Sequence, residues 1–245
     1  MTKFDAMKTF GFYTLGFKGY QCLKSVISEF GPEIITFVVS ARDSNIEKDF
    51  FKETKELCLG NGIIFNERTE PPGCHVDFRF AIGWRWIISD TSNLVIFHDS
   101  LLPRYRGFAP LVNALINGEK EIGVTALRAS EHYDCGDIIS QKSLSIEYPL
   151  KIEDAIAKIA PLYTEILFDI CKTIISKQTI NTYSQDQKNA SYSPWRNELD
   201  YSVDWNKSAE YIARFIDAVG YPYKGAKTTA NGECVRVLDC KVVKD

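Results

Sequence analysis

Short apolar runs alternate along the chain with longer segments in which apolar residues recur at every third or fourth position. Residues 8–15 form an aromatic and β-branched run of strand type, and 20–30 carry the apolar spacing of a helix. Between them, Gly16-Phe17-Lys18-Gly19 reads as a tight loop feeding a helix amino terminus, where free N–H groups and Lys18 suit an anion. Residues 33–40 are almost continuously apolar, with Ile34, Ile35, Phe37, Val38 and Val39, as expected of a parallel strand covered on both faces. A helix is predicted over 46–59. Further strands are predicted over 62–65 and 77–83, separated by the turn residues Pro71, Pro72 and Gly73. This alternation predicts an α/β fold with a mostly parallel sheet, and no internal repeat interrupts it.

The second half continues the pattern and then changes. Residues 94–97 are a short apolar run, so His98 falls at a strand's carboxyl end, where open α/β sheets bind ligands. Residues 110–117 predict a short helix ended by Gly118, and 121–128 and 138–146 predict two strands. The connection between those strands, Glu131 to Asp137, carries three carboxylates and His132; as a solvated turn it would use Asp134 and Asp137 to bind local backbone N–H groups. Residues 152–175 are helical in spacing, with Pro161 marking a kink or a break. The polar stretch 177–193 reads as surface connection. A small tail follows from Pro194, with Asp204 or Asn206 capping a helix and Asn231-Gly232 turning a hairpin between 226–229 and 234–243. The expected division is therefore a main domain over 1–193 and a helix-plus-hairpin subdomain over 194–245.

With 245 residues, 45% of them hydrophobic and 25% charged, the chain is long enough to bury a substantial core. A formal net charge of −3 argues against broad electrostatic capture of nucleic acid or of an anionic membrane. No run of about 18 apolar residues occurs, and the stretch Met1-Thr2-Lys3-Phe4-Asp5 has no leader character, so a cytoplasmic protein is expected. Seven scattered cysteines without Cys-x-x-Cys spacing are expected as reduced thiols. His75, His98 and His132 lack paired metal-ligand spacing, so no metal is expected.

Six short motifs change the picture. His98-x-Ser100-Leu101-Leu102-Pro103-x-Tyr105-Arg106-Gly107-x-x-Pro110 is followed by Ile116-Asn117-Gly118-Glu119, Gly123-Val124-Thr125 and Asp134-x-Gly136-Asp137-Ile138-Ile139. The tail adds Asp204-Trp205-Asn206-x-Ser208-Ala209 and Pro222-Tyr223-x-Gly225-Ala226. In this order the motifs resemble the formyltetrahydrofolate-dependent formyltransferases, most firmly over residues 94–139. The resemblance implies a Rossmann-like catalytic domain and a co-substrate, N10-formyltetrahydrofolate, whose formyl carbon is attacked by an amine.

Such chemistry must stabilise an oxyanion and move a proton. The family uses an Asn-x-His pair and a distant Asp, which places His98 and Asp134 as the catalytic residues. The family's asparagine falls here on Ile96, which donates no hydrogen bond. Losing one preorganised oxyanion donor costs about 10²–10³ in rate. A substitute donor is then required, Asn113 on the following helix being one candidate, or else the protein is a formyltransferase-like binding module.

On the folate side the resemblance implies backbone contacts from Phe80, Ile82, Gly83, Trp84 and Arg85 and from the turn holding Tyr133 and Asp137. The acceptor amine it favours is the 4-amino group of an amino-dideoxy sugar linked to dTDP, UDP or GDP, used for surface polysaccharide such as O-antigen. The short tail and acidic charge disfavour methionyl-tRNA; glycinamide ribonucleotide is the other alternative. A nucleotide sugar needs a cationic clamp, for which Lys18, Arg79, Arg85, Arg196 and Lys224 are candidates, and a flat surface, for which Trp195, Tyr221 and Tyr223 are candidates. Ser100, Arg106 and Gly107 of the motif loop fall on the same substrate side, and the tail is also a candidate contact of a homodimer.

Overall fold

The computed structural model describes residues 7–243, and the amino-terminal stretch read for a leader lies outside them. The elements run β1 (Phe10–Thr14), α1 (Gly16–Phe30), β2 (Ile35–Ser40), α2 (Phe51–Gly60), β3 (Ile64–Glu67), β4 (Phe78–Ile82) and β5 (Leu94–His98). They continue with β6 (Arg106–Gly107), α3 (Pro110–Asn117), β7 (Glu121–Arg128), β8 (Ile138–Ser145) and α4 (Ile152–Ile175). The remainder comprises β9 (Tyr192–Ser193), α5 (Ala209–Ala218), β10 (Ala226–Ala230) and β11 (Glu233–Val237).

Seven strands form one sheet in the order β3-β2-β1-β4-β5-β7-β8. The first five run parallel, and β7 and β8 continue antiparallel. The chain leaves β1 toward β2 on one side and returns to β4 on the other. The carboxyl ends of β1, β4 and β5 thus open onto the crevice created by that reversal, where α/β sheets hold ligands. Beneath the crevice lies the core. Phe10, Phe12 and Phe80 are fully buried, with Phe10 and Phe80 edge to face at 5.4 Å. Helix α4 covers one face with Ile159, Tyr163, Ile166 and Ile170. It runs unbroken through Pro161, so of the kink and the break expected there the break does not occur.

Several local expectations are corrected. Helix α1 begins at Gly16, so Gly16 to Gly19 are its first turn rather than a loop before it. Helix α2 begins only at Phe51: Phe50 before it takes a left-handed φ of +56°, and the Asp49 carboxylate accepts the Phe51 N–H at 3.1 Å, so residues 46–50 form an irregular loop, part of which lines the crevice. The 177–193 connection runs over the surface as expected, most of it exposed, yet it is pinned to the domain: Tyr183 bridges to Ile138, β9 pairs with β6, and Gln185 and Ser193 are buried. Glycine is required at 107, where φ is +98° and a Cβ would lie 2.8 Å from the Ser193 carbonyl.

In the tail, Ser208 caps α5 by accepting the Tyr211 N–H at 3.3 Å, while Asp204 and Asn206 form a local turn instead. Asn231 and Gly232 take positive φ values of 53° and 81°, the geometry of a tight hairpin. Helix α5 packs on α3, and Phe215, Ile216 and Val219 join Leu115 and Ile116 in one core cluster.

Candidate active site

Strand β5 carries His98 to the crevice, and the following loop fixes its ring. Thr125 on the neighbouring β7 holds that loop, its hydroxyl donating to the Ser100 carbonyl at 2.6 Å and accepting the Leu102 N–H at 3.1 Å. Ser100 closes the turn onto the Arg104 carbonyl at 2.7 Å. Tyr105 is thereby held at φ +60°, and its carbonyl accepts from His98 Nε2 at 2.8 Å. A carbonyl only accepts, so Nε2 carries hydrogen and Nδ1 is the nitrogen left for proton exchange. Asp134 Oδ1 faces that Nδ1 at 3.5 Å. Its other oxygen, Oδ2, accepts the Gly107 N–H at 2.8 Å, and the residue itself sits at φ +55°.

Immediately after His98, Asp99 is bound by Lys18 from α1 and by the hydroxyl of Tyr163 from α4. The Lys18 and Asp99 side chains are only 13% and 19% exposed, and Lys18 also lies 5.3 Å from the Tyr163 ring centroid. Burial alone would raise the Asp99 pKa, but the Lys18 charge and the two hydrogen bonds hold it below the ordinary carboxylate value. Burial and the adjacent carboxylate push the Tyr163 phenol well above its usual range.

These groups open into a cavity of about 1480 Å³. Of the residues expected at the folate, Gly83, Trp84, Arg85 and Tyr133 line it. Phe80 and Ile82 do not: their side chains are buried in the core beneath the sheet's edge. Asp137 also lies off the wall, its carboxylate accepting from the Ser184 hydroxyl at 3.0 Å. Residues 83–88 and 127–135 both line the cavity, and the buried Trp84 indole N–H has no partner among the described residues.

Of the expected substrate-side residues, Lys18, Arg106, Gly107, Trp195, Arg196, Tyr221, Tyr223 and Lys224 line the cavity. Lining does not leave each one free. Arg106 is 1% exposed and binds Gln185, Gln187 and Tyr192, so its fork is committed to the protein. Lys18 is matched by Asp99, Arg85 by Asp43, and Lys224 by Glu198 at 3.3 Å. Arg196 pairs with no carboxylate among the described residues and donates to Asn113 Oδ1 at 2.8 Å.

Two expected substrate residues are displaced outright. Arg79 stands away from the cavity between Glu70 at 2.9 Å and Asp90 at 3.0 Å, and Ser100 serves only its own turn. Ile96 does line the wall, packed with Leu102, Leu127 and Ile138. Asn113 does not stand in for the missing asparagine: its amide donates to the Ala109 carbonyl at 2.9 Å and its oxygen holds Arg196, outside the wall. His132 sits exposed at the rim and His75 is exposed elsewhere. Asp99, Tyr163 and Gln185 escaped the sequence reading; only the stretch between His98 and Ser100 pointed near one of them.

A doubly wound sheet with a histidine and an aspartate over a cavity at its carboxyl edge defines a Rossmann-like, ligand-binding protein of the α/β class. More narrowly, the chain belongs to the formyl transferase family: residues 79–170 match formyl transferase and 197–245 match formyl transferase, C-terminal domain, together more than half of its length. The methionyl-tRNA formyltransferase of Lactococcus lactis subsp. lactis is 35% identical over 148 residues, which cover 60% of this chain and 46% of the relative. The chain spans about half the length of the curated relatives it matches first. Among solved structures, WlaRD, a sugar 3N-formyl transferase determined in the presence of dTDP and 5-N-formyl-THF, superposes with a TM-score of 0.71 at 22% identity, covering 87% of this chain and 79% of that one. A 4-N formyltransferase from Francisella tularensis gives a TM-score of 0.70 at 18% identity, with 96% and 99% covered.

Proposed function

We propose that the protein transfers a formyl group from N10-formyltetrahydrofolate to the amino group of a nucleotide-linked amino-dideoxy sugar, dTDP-linked by preference, as a step toward surface polysaccharide. The observation that carries this reading is the His98–Asp134 pair, set in the wall of a cavity lined by two kinds of group. Residues 83–88 and 127–135, with the unpartnered Trp84 N–H, suit a flat heterocycle rich in hydrogen-bonding edges. Arg196, which pairs with no carboxylate among the described residues, lines the same cavity with Trp195, Tyr221 and Tyr223, a set suited to a pyrophosphate and a base.

The folate, when bound, supplies the activated formyl carbon. The chain's own task is then to hold an amine against it and to accept the proton that the amine loses. His98 Nδ1 is the atom for that proton, since Nε2–H is committed to the Tyr105 carbonyl. Asp134, with Oδ1 at 3.5 Å from Nδ1, orients the imidazole. Ile96 contributes no oxyanion donor, so turnover is slower than in relatives with asparagine there, by up to about 10²–10³.

A second reading, methionyl-tRNA as acceptor, is favoured by the named sequence relatives and opposed by the net charge of −3. Purified protein incubated with formyltetrahydrofolate and a panel of dTDP-, UDP- and GDP-amino sugars, methionyl-tRNA and glycinamide ribonucleotide decides between them by mass detection of the +CO adduct. A formylated amino sugar is the expected product. Formylated methionyl-tRNA replaces the substrate assignment, and no adduct with any acceptor overturns the enzyme reading in favour of a binding module.

A further inference from the structure

We infer that Gln185 is a positioning residue that sets the separation of His98 and Asp134; in its kinetic consequence this rests on the formyl-transfer reading above. The side chain is 7% exposed and its carboxamide is fully used. Nε2 donates to the carbonyls of Asp134 and Gly136, both at 2.8 Å, and Oε1 accepts from Arg106 Nε at 3.0 Å and Nη2 at 2.7 Å. Two donors and two lone pairs are all that a primary amide has.

Each of those bonds ends on a segment that holds one half of the pair. Arg106 follows Tyr105, whose carbonyl fixes the His98 ring, and precedes Gly107, whose N–H holds Asp134 Oδ2. On the other side, the Asp134 carbonyl is bound while its φ of +55° keeps a non-glycine residue in the left-handed region, a conformation that survives only when its surroundings determine it. One amide from the 177–193 connection thus spans the histidine loop and the aspartate turn. The 3.5 Å between Nδ1 and Oδ1 is the distance those two segments leave. Arg106 gives further support: a 1%-exposed guanidinium with only neutral partners costs free energy to bury, and its bonds to Gln185, Gln187 and Tyr192 serve to fix the strap against the loop.

The test uses Gln185→Met, which keeps length and volume without hydrogen bonds, and Gln185→Glu, which keeps the acceptor for Arg106 but loses both donors to the turn. For formyl transfer, both variants are expected to lower kcat about 10- to 100-fold with KM within about threefold, as displacement of a reacting group by about 1 Å does. In an Asp134→Asn background the same changes should cost less than about threefold, because the group they position is already gone. Equal losses in both backgrounds, or an unchanged kcat in Gln185→Met, overturn the inference. A readout independent of turnover is the imidazole ¹⁵N spectrum of His98 in the unliganded protein, assigned with His98→Gln. The Nδ1 resonance should move in Gln185→Met and Gln185→Glu, and a spectrum identical to the parent's overturns the positioning role even where the parent transfers no formyl group.

Discussion

His98 and Asp99 are neighbours in sequence, yet their ionic partners meet them in opposite ways. Asp99 is saturated: Lys18 and Tyr163 close on its two oxygens, and the cluster is a fixed charge arrangement with no proton to give at neutral pH. His98 is left open, with Asp134 at 3.5 Å and Nδ1 without a short bond. A closed pair supplies architecture, whereas an open pair whose other atoms are pinned is what the proposed proton transfer requires. The Asp99 cluster ties α1, β5 and α4 together directly under the histidine loop, so the movable pair rests on the immovable one.

The largest effect should come from the open pair. His98→Gln removes the imidazole and is expected to lower kcat by about 10³-fold with the fold intact, checked by single-turnover formylation and circular dichroism. Next comes the closed pair, where Asp99→Asn leaves Lys18 buried and uncompensated. Chemical denaturation should show a loss of about 3–5 kcal/mol, and the apolar double variant Lys18→Met/Asp99→Leu should recover most of it. If Asp99→Asn instead unfolds like the parent, the pair is not architectural and the contrast collapses. Its pH dependence has a definite sign: the folded pKa of Asp99 lies below the ordinary 3.8, so its contribution is complete above that value and fades as pH falls through the folded pKa. Acid unfolding of Asp99→Asn should accordingly be less steep than the parent's.

Smaller effects sharpen the site itself. Ile96→Asn places an amide two residues before His98 on the same strand face, and kcat should rise about tenfold; no gain shows that the wall formed with Leu127 and Leu102 does not admit the oxyanion there. The smallest change in substrate handling is expected from Arg79→Gln, with KM for the nucleotide sugar within about twofold while thermal stability falls, because this guanidinium serves Glu70 and Asp90.

What the sequence disclosed follows from locality. The apolar run 94–97 located His98 at a strand end, the bounds of α3 coincided with Pro110 and Gly118, and Asn231-Gly232 located its hairpin, because each is decided by a few adjacent residues. Partners distant along the chain were not legible. Lys18 and Arg79 both read as anion clamps, because Asp99, Glu70 and Asp90 gave no sign along the chain of facing them. The 177–193 connection is the surface loop that its Gln, Asn and Ser composition suggests, but its one buried amide, Gln185, becomes intelligible only when the carbonyls it satisfies are known.

One hydrogen bond links the early loop to the tail beside the cavity. The N–H of Glu47, in the irregular loop before α2, donates to the carbonyl of Pro222 at 2.9 Å, between the two tail tyrosines that line the wall. Whatever enters or leaves past Tyr221 and Tyr223 does so beside this clasp. Its amide hydrogen is therefore a built-in clock, exchanging with solvent at a rate set by how often the early loop and the late tail part company.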